Sequence, residues 1–227
     1  MSLAESDLSP AAAPRRPRGR PRKTADERDD GNRRRELVAG AARLFRQQGF
    51  SATSTRDIAA AVGMRSGSPF YHFESKEALL GAVMLEGMQG ALQRQQAALA
   101  LLPAGASPRE RLRVLVRNHF DVLLGPDSDF IPVMLYEWRS LETTQRVEVN
   151  RLKDRYEAEW VPELEALHAQ GQLGADPALA RLMIFGALNW SAQWYVPPSG
   201  RSAKARARAS LDDLTTSALQ LFLKEPA

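Results

Sequence analysis

The fold is decided by a short stretch that reads TSTRDIAAAVG over residues 53–63 and SGSPFYHF over residues 66–73. Ser54, with Asp57 three residues later, has the pattern of a capping box, in which both side chains bond backbone N–H groups at a helix start. The apolar residues that follow fall on one helical face, and Gly63 would end the helix. The stretch therefore predicts two short helices joined by a tight glycine turn.

A pair of short helices joined in this way is the helix-turn-helix geometry, whose second helix enters the major groove of DNA. Small residues at 66–68 would let that helix approach DNA closely, while Phe70 and Phe73 would anchor it to the first helix. The alternative is a helical hairpin packed in a core. Such a hairpin would not need this placement of Gly, Ser, Arg and Lys.

The net charge of +4 is unevenly distributed along the chain. Residues 1–80 contain fifteen Lys and Arg against ten Asp and Glu, whereas the remainder contains sixteen against seventeen. The basic excess lies at the end of the chain where phosphate neutralisation would need it. A solubilising tail is the alternative interpretation.

The 227 residues suffice for one large domain or two small ones. The chain has no cysteine, which excludes disulfides and thiolate chemistry. No stretch approaches the roughly 18 apolar residues of a membrane span, and Met1–Ala13 lacks the pattern of a signal peptide. We therefore expect a cytoplasmic protein.

Helical periodicity dominates from Arg33 onward, and no convincing alternating strand follows, so the sequence predicts an all-α fold. The first helix would end at Gly49. Further long helices are expected at 75–101, 108–124, 144–170, 177–195 and 207–224, and Pro162 should kink or break the third of these. We predict three segments: a disordered basic arm at 1–31, a DNA-binding domain at 32–78 and a helical ligand-binding and dimerisation domain at 79–227.

The stretch resembles the tetracycline-repressor (TetR) family of bacterial regulators over about 45 residues, at a spacing that is specific rather than generic. The match is carried by Gly49-Phe50, Thr53-Ser54, Asp57-Ile58-Ala59, Gly63, Gly67-Ser68, Phe70-Tyr71-His72-Phe73, Ser75-Lys76-Glu77 and Leu79. The resemblance implies that three N-terminal helices bind DNA and that the rest forms a ligand-responsive, dimeric domain. Most members of the family are repressors.

Carried over by position, the resemblance implies a set of DNA contacts in and beside the helix-turn-helix. The set is Thr53, Ser54, Arg56, Arg65, Ser66, Ser68, Tyr71, His72 and Lys76. Hydroxyls at a helix start suit phosphate oxygens, arginine can bind guanine edges or phosphates, and Lys76 would be a phosphate clamp. The chain departs from the family at Phe70, where tyrosine is usual, and at Pro69, so the base contacts are less transferable than the motif.

A basic arm precedes these helices, and its segment RRPRGRPRK (residues 15–23) resembles an AT-hook. Arg18 and Arg20 would then lie in a narrow minor groove, where the potential is most negative. The alternative is an electrostatic arm without base preference.

The C-terminal half collects aromatic and polar side chains that could line an effector pocket. The predicted ligand-binding residues are His119, Phe120, Trp138, Arg155, Tyr156, Asn189 and Trp190. The alternative for each of them is ordinary core packing. A looser resemblance links this half to a TetR subgroup that regulates lipid and sterol degradation, some members of which respond to acyl-CoA thioesters.

Two apolar stripes near the C-terminus predict a dimer surface, as in the family, with two helices from each subunit around a twofold axis. The predicted interface residues are Leu182, Met183, Gly186, Leu214, Ala218 and Leu221. The alternative is that both stripes pack only within the monomer.

The sequence thus favours a repressor that an apolar small molecule releases from a palindromic operator, by changing the separation of the two recognition helices. We expect no enzyme activity, metal or cofactor. The three histidines do not have the spacing of metal ligands, and the sequence contains no glycine-rich phosphate-binding loop. An architectural DNA-binding protein without ligand sensing is the main alternative. An activator and a regulator without a ligand also stay open.

Overall fold

The computed structural model describes residues 25–64, 69–125, 128–196 and 209–225, and every regular element in these ranges is helical. The elements are α1 (Ala25–Gln48), α2 (Thr55–Ala61), α3 (Pro69–His72), α4 (Lys76–Ala100), α5 (Pro108–Leu124), α6 (Phe130–Glu137), α7 (Thr143–Ala158), α8 (Val161–Ala169), α9 (Pro177–Trp190) and α10 (Leu211–Phe222). Short 3-10 turns follow α6 at Trp138–Ser140 and α9 at Ser191–Gln193. The all-α prediction is confirmed.

Hydroxyl and carboxylate side chains fix where the helices begin. Ser54 and Ser107 each accept a hydrogen bond from the backbone three residues later, and the acidic residue at that position bonds back, as the capping boxes predict. These contacts lower the pKa of Asp57 and of Glu110, because the serine hydroxyl and N–H stabilise the carboxylate. Asp176 caps α9 through its side chain, and Ser210 with Asp213 forms a further capping box at the start of α10.

Several helix boundaries differ from the predicted ones. Helix α1 begins at Ala25 rather than Arg33, so residues 25–31, expected to belong to the disordered arm, are helical. The span expected at 144–170 breaks into α7 and α8, since Pro162 has no N–H to continue the helix. Helix α9 ends at Trp190 rather than 195, and α10 begins at Leu211. Helix α6 was not predicted at all.

The interior consists of two apolar clusters. The first packs α1 and α2 against α4, α6 and α7, and the second packs α5 against α8, α9, α10 and the end of α4. Leu124 and Phe185 pack against both clusters and so connect them. Because α4 runs from Lys76 through Ala100 without a break, it belongs both to the N-terminal helices and to the bundle. The domain boundary at 78–79 remains a prediction.

Candidate DNA-binding and effector sites

Helices α2 and α3 form the predicted helix-turn-helix. Ile58 and Ala59 are buried against α1, and Gly63 adopts a φ of +68°, a left-handed conformation that favours glycine and ends α2. Met64 packs partly buried against the same cluster, as expected for a side chain under the turn. Phe73 is also buried and anchors the chain after α3.

Three of the predicted DNA contacts are available to a ligand in the described part of the chain. Arg56 and Ser54 are exposed at the start of α2, and the ring of Tyr71 on α3 is 80% exposed. His72 is half-buried, with its ring edge-to-face against Tyr71 at 5.1 Å between centroids. Five further predicted contacts lie outside the described residues: Arg18, Arg20, Arg65, Ser66 and Ser68.

The structure contradicts the predicted phosphate contact of Thr53. Its side chain is 1% exposed, and its hydroxyl donates to the carbonyl of Gly49 at 2.7 Å. The same oxygen accepts a hydrogen bond from Gln48 at 3.1 Å. Thr53 therefore closes the turn between α1 and α2, and its hydroxyl is occupied within the protein.

Lys76 also lies differently from the predicted phosphate clamp. Its Nζ donates to the backbone carbonyls of Phe50 at 2.8 Å and Thr53 at 3.0 Å. The ammonium group also lies over the Phe50 ring, 4.2 Å from its centroid. Since two carbonyls and a ring surround this half-buried group, its charge stabilises the α1–α2 turn rather than facing solvent.

We expect Lys76→Met to lower the free energy of unfolding by about 2 kcal/mol, because the turn carbonyls lose a charged donor. The slope of log affinity for duplex DNA against log salt should stay unchanged, whereas a lost phosphate contact would reduce it by about 0.9. Arg56→Met is the matched control, since its exposed charge should reduce the slope with little effect on stability. A reduced slope for Lys76→Met would restore the phosphate-clamp assignment.

Three of the predicted effector residues form one hydrogen-bonded chain, in which His119 and Tyr156 are buried and Asn189 is half-buried. His119 Nδ1 lies 3.2 Å from the Tyr156 hydroxyl, and Nε2 lies 3.1 Å from Asn189 Oδ1. The arrangement fits a neutral imidazole that donates to Asn189 and accepts from Tyr156. Burial lowers the pKa of His119 to about 4, because it disfavours the charged ring, and burial likewise raises the pKa of Tyr156.

Other side chains complete this buried chain, and the sequence analysis did not assign them to the site. Gln95 is fully buried, donates to the carbonyl of Tyr156 at 2.8 Å, and accepts from Trp160 Nε1 at 3.0 Å. The ring of Phe185 lies 5.2 Å from that of His119 and 4.6 Å from that of Trp160. Gln95 lies near the end of α4 among Gln93, Arg94 and Gln96, so no sequence signal distinguished it from its polar neighbours.

The other predicted effector residues do not join this cluster. Phe120 is an ordinary member of the second apolar cluster. Trp138 lines a separate surface groove of about 540 Å³ with residues of α6 and α7. Arg155 is exposed on α7, and Trp190 is 66% exposed on α9. The structure therefore does not bring Trp138, Arg155 and Trp190 to the cluster around His119, because helical spacing alone did not indicate which face each one occupies. Phe120 shares the second apolar cluster with Trp160, and its role as an effector contact stays a prediction.

Helix α9 presents an unpartnered apolar face. Leu182 and Met183 are exposed on it, Met183 by 69%, and Gly186 leaves its surface flat one turn further on. On α10 the prediction holds less well: Leu221 is 82% exposed, but Leu214 is half-buried and Ala218 is buried. Ala218 packs within the subunit because α10 turns that side toward the second apolar cluster, so it offers no surface to a partner.

A helix-turn-helix carried on a larger helical bundle defines a class of bacterial transcriptional regulators. The profile described as "Bacterial regulatory proteins, tetR family" matches residues 37–83. The profile described as "Tetracyclin repressor-like, C-terminal domain" matches residues 105–219, about half of the chain. The chain belongs to the tetR family.

Relatives and solved structures support the same family. The chain is 28% identical to the transcriptional repressor KstR2 of Mycolicibacterium smegmatis over 178 residues, which cover 76% of this chain and 84% of KstR2. The fold is similar to AibR in complex with isovaleryl coenzyme A and operator DNA, with a TM-score of 0.72, 25% identity, and coverage of 84% and 97%. It is also similar to the superantigen PfiT, with a TM-score of 0.68, 35% identity, and coverage of 85% and 96%. None of the described helices is long and apolar enough to span a membrane.

Proposed function

We propose that this protein is a dimeric repressor that binds a palindromic operator and is released from it by a small molecule with an apolar part, such as the acyl group of an acyl-CoA. The observation that carries the proposal is the helix-turn-helix, which presents Arg56 and Tyr71 to solvent. The relative KstR2 is a transcriptional repressor, and AibR binds both isovaleryl coenzyme A and operator DNA. Such a regulator acts in the cytoplasm, where the bacterial chromosome lies.

The exposed face of α9 supports a dimer. Apolar patches of this kind on a soluble subunit mark interaction surfaces, and a twofold axis through α9 would pair two helix-turn-helix units. Paired units match an operator whose half-sites are about 34–36 Å apart. A shift of the subunits by a few ångströms would then weaken binding.

The buried chain around His119 supports effector binding within the bundle. It combines neutral polar atoms with aromatic walls, the composition that small-molecule sites use to orient an apolar ligand. Entry of a ligand would require Phe185 to move, and Phe185 packs against both apolar clusters. Displacement of Phe185 would therefore change the packing of the first apolar cluster, which includes the helices of the DNA-binding unit.

Selection of bound duplexes from a random DNA pool tests the DNA-binding half of the proposal. We expect enrichment of an inverted repeat, whereas equal binding to all duplexes would favour the architectural alternative. A thermal-unfolding screen with acyl-CoA thioesters and other apolar metabolites tests the effector half, because a ligand that binds the folded state raises its stability. A stabilising compound that leaves operator affinity unchanged would contradict release by that effector.

Deletion of residues 1–24 should weaken DNA binding and flatten its dependence on salt. The deleted segment contains six basic side chains, and each phosphate contact contributes about 0.9 to the slope of log affinity against log salt. Titration of the enriched duplex at several salt concentrations measures the slope. The same slope in both proteins would show that the arm does not contact DNA.

A further inference from the structure

The turn between α1 and α2 is held from two sides. On one side Lys76, at the start of α4, donates to the carbonyls of Phe50 and Thr53. On the other side Glu137, at the end of α6, accepts the backbone N–H of Phe50 through Oε1 at 2.9 Å. Both contacts come from helices that follow the turn in sequence, and only that of Glu137 comes from the predicted effector domain.

Helix α6 is fixed to the N-terminal helices at its other end as well. Arg46, in the last turn of α1, donates to Asp129 Oδ1 at 2.9 Å and to the carbonyl of Ser128. The ring of Phe130 covers Gly87 of α4, where a side chain would collide with it. The segment that contains α6 is therefore attached at two places: its start contacts Arg46 of α1, and its end contacts Phe50 in the α1–α2 turn.

The bond from Glu137 has the properties of a positioning contact. A carboxylate acceptor makes a stronger hydrogen bond than a neutral one, and this one also receives the Ser140 hydroxyl at Oε2. Phe50 is largely buried and the bond is partly shielded from solvent, so losing this acceptor should cost free energy. Five residues after Phe50 the chain enters α2, and the turn is therefore the last fixed point before the helix-turn-helix.

We propose that Glu137 is a positioning residue: by accepting the Phe50 N–H, it sets the orientation of the helix-turn-helix relative to the bundle. The inference rests on the proposed function, because it assigns Glu137 a role in operator binding. Glu137 does not touch DNA in this role. It acts through the α1–α2 turn.

The test compares Glu137→Ala with Glu137→Gln in the full chain. The probe is the duplex that the wild-type protein enriches from a random pool, and affinity is measured well below the unfolding transition. We expect about a tenfold loss for Glu137→Ala, equal to 1.4 kcal/mol, and near wild-type affinity for Glu137→Gln, whose amide oxygen can still accept the N–H. Removing a negative charge by itself would strengthen DNA binding, so a loss opposes the simple electrostatic effect.

Glu165→Ala serves as the matched control, because Glu165 is exposed on α8 and carries the same charge. It should keep wild-type affinity. Equal affinities for Glu137→Ala and the wild-type protein would overturn the proposal, even if Glu137→Ala unfolds at a lower temperature, because that pattern describes a merely structural contact.

Hydrogen exchange at the Phe50 amide separates this inference from the proposed function. We expect faster exchange in Glu137→Ala than in Glu137→Gln without any DNA present. An unchanged exchange rate would overturn the inference whatever the protein binds. If the wild-type protein enriches no duplex while the exchange rate rises, the proposed function fails and the contact at Phe50 stands.

Discussion

Met183→Asp should turn the protein into a monomer and lower its affinity for the full operator by about a hundredfold or more. Met183 is 69% exposed at the centre of the α9 face, between Leu179 and Gly186. A carboxylate at this position would be buried without a partner in a twofold interface and repelled by its symmetry mate. A monomer binds one half-site only and loses the gain in affinity that comes from linking two binding units.

Because Met183 is exposed in the subunit, the substitution should leave the folding of the subunit unchanged and affect only its association. Val147→Asp is the matched control, since Val147 is an equally exposed apolar side chain on α7. Light scattering after size-exclusion chromatography gives the oligomeric state, and titration of labelled duplex gives the affinity. If Met183→Asp stays dimeric and binds the full operator normally, the symmetric interface lies elsewhere on the subunit.

The fold was largely predictable from local signals. Capping pairs such as Ser54 with Asp57, and stop residues such as Gly63, act within one turn of chain, so they indicate helix starts and ends without tertiary information. Helix α6 was not predicted, because its eight residues are too few and too uniformly apolar to show a helical period. Its position depends on packing against α1 and α4, which no local pattern encodes.

The candidate sites were predictable only in part, because residue type does not state which way a side chain faces. Thr53 and Lys76 have the chemistry of phosphate ligands, yet both bond backbone carbonyls in the α1–α2 turn. Ala218 lies in an apolar stripe, but that side of α10 packs inward. His119, Tyr156 and Asn189 do meet, although 70 residues separate the first from the last, because α5, α7 and α9 converge in the bundle.

The free energy of unfolding should fall by about 3 kcal/mol as the pH drops from 6.5 to about 4, because of His119 alone. The folded imidazole takes up a proton only near pH 4, at the acidic end of this range, whereas in the unfolded chain it takes up a proton near pH 6.5. The unfolded state therefore binds more protons, and its free energy falls relative to the folded state. This contribution to stability is complete above pH 6.5 and is lost as the pH falls toward the lowered pKa.

Urea unfolding at a series of pH values measures this slope, and His119→Gln should flatten it. Glutamine can still bond Asn189 or Tyr156 but carries no titrating group, so the variant separates the charge from the hydrogen bonds. His168→Gln is the matched control, because it makes the same substitution at an exposed histidine on α8.

The capped carboxylates Asp57, Glu110 and Asp213 have lowered pKa values, so their contribution to stability is lost only at lower pH. A wild-type slope in His119→Gln would mean that the ring is accessible to water, and the buried chain at the centre of the bundle would then be open to a polar ligand.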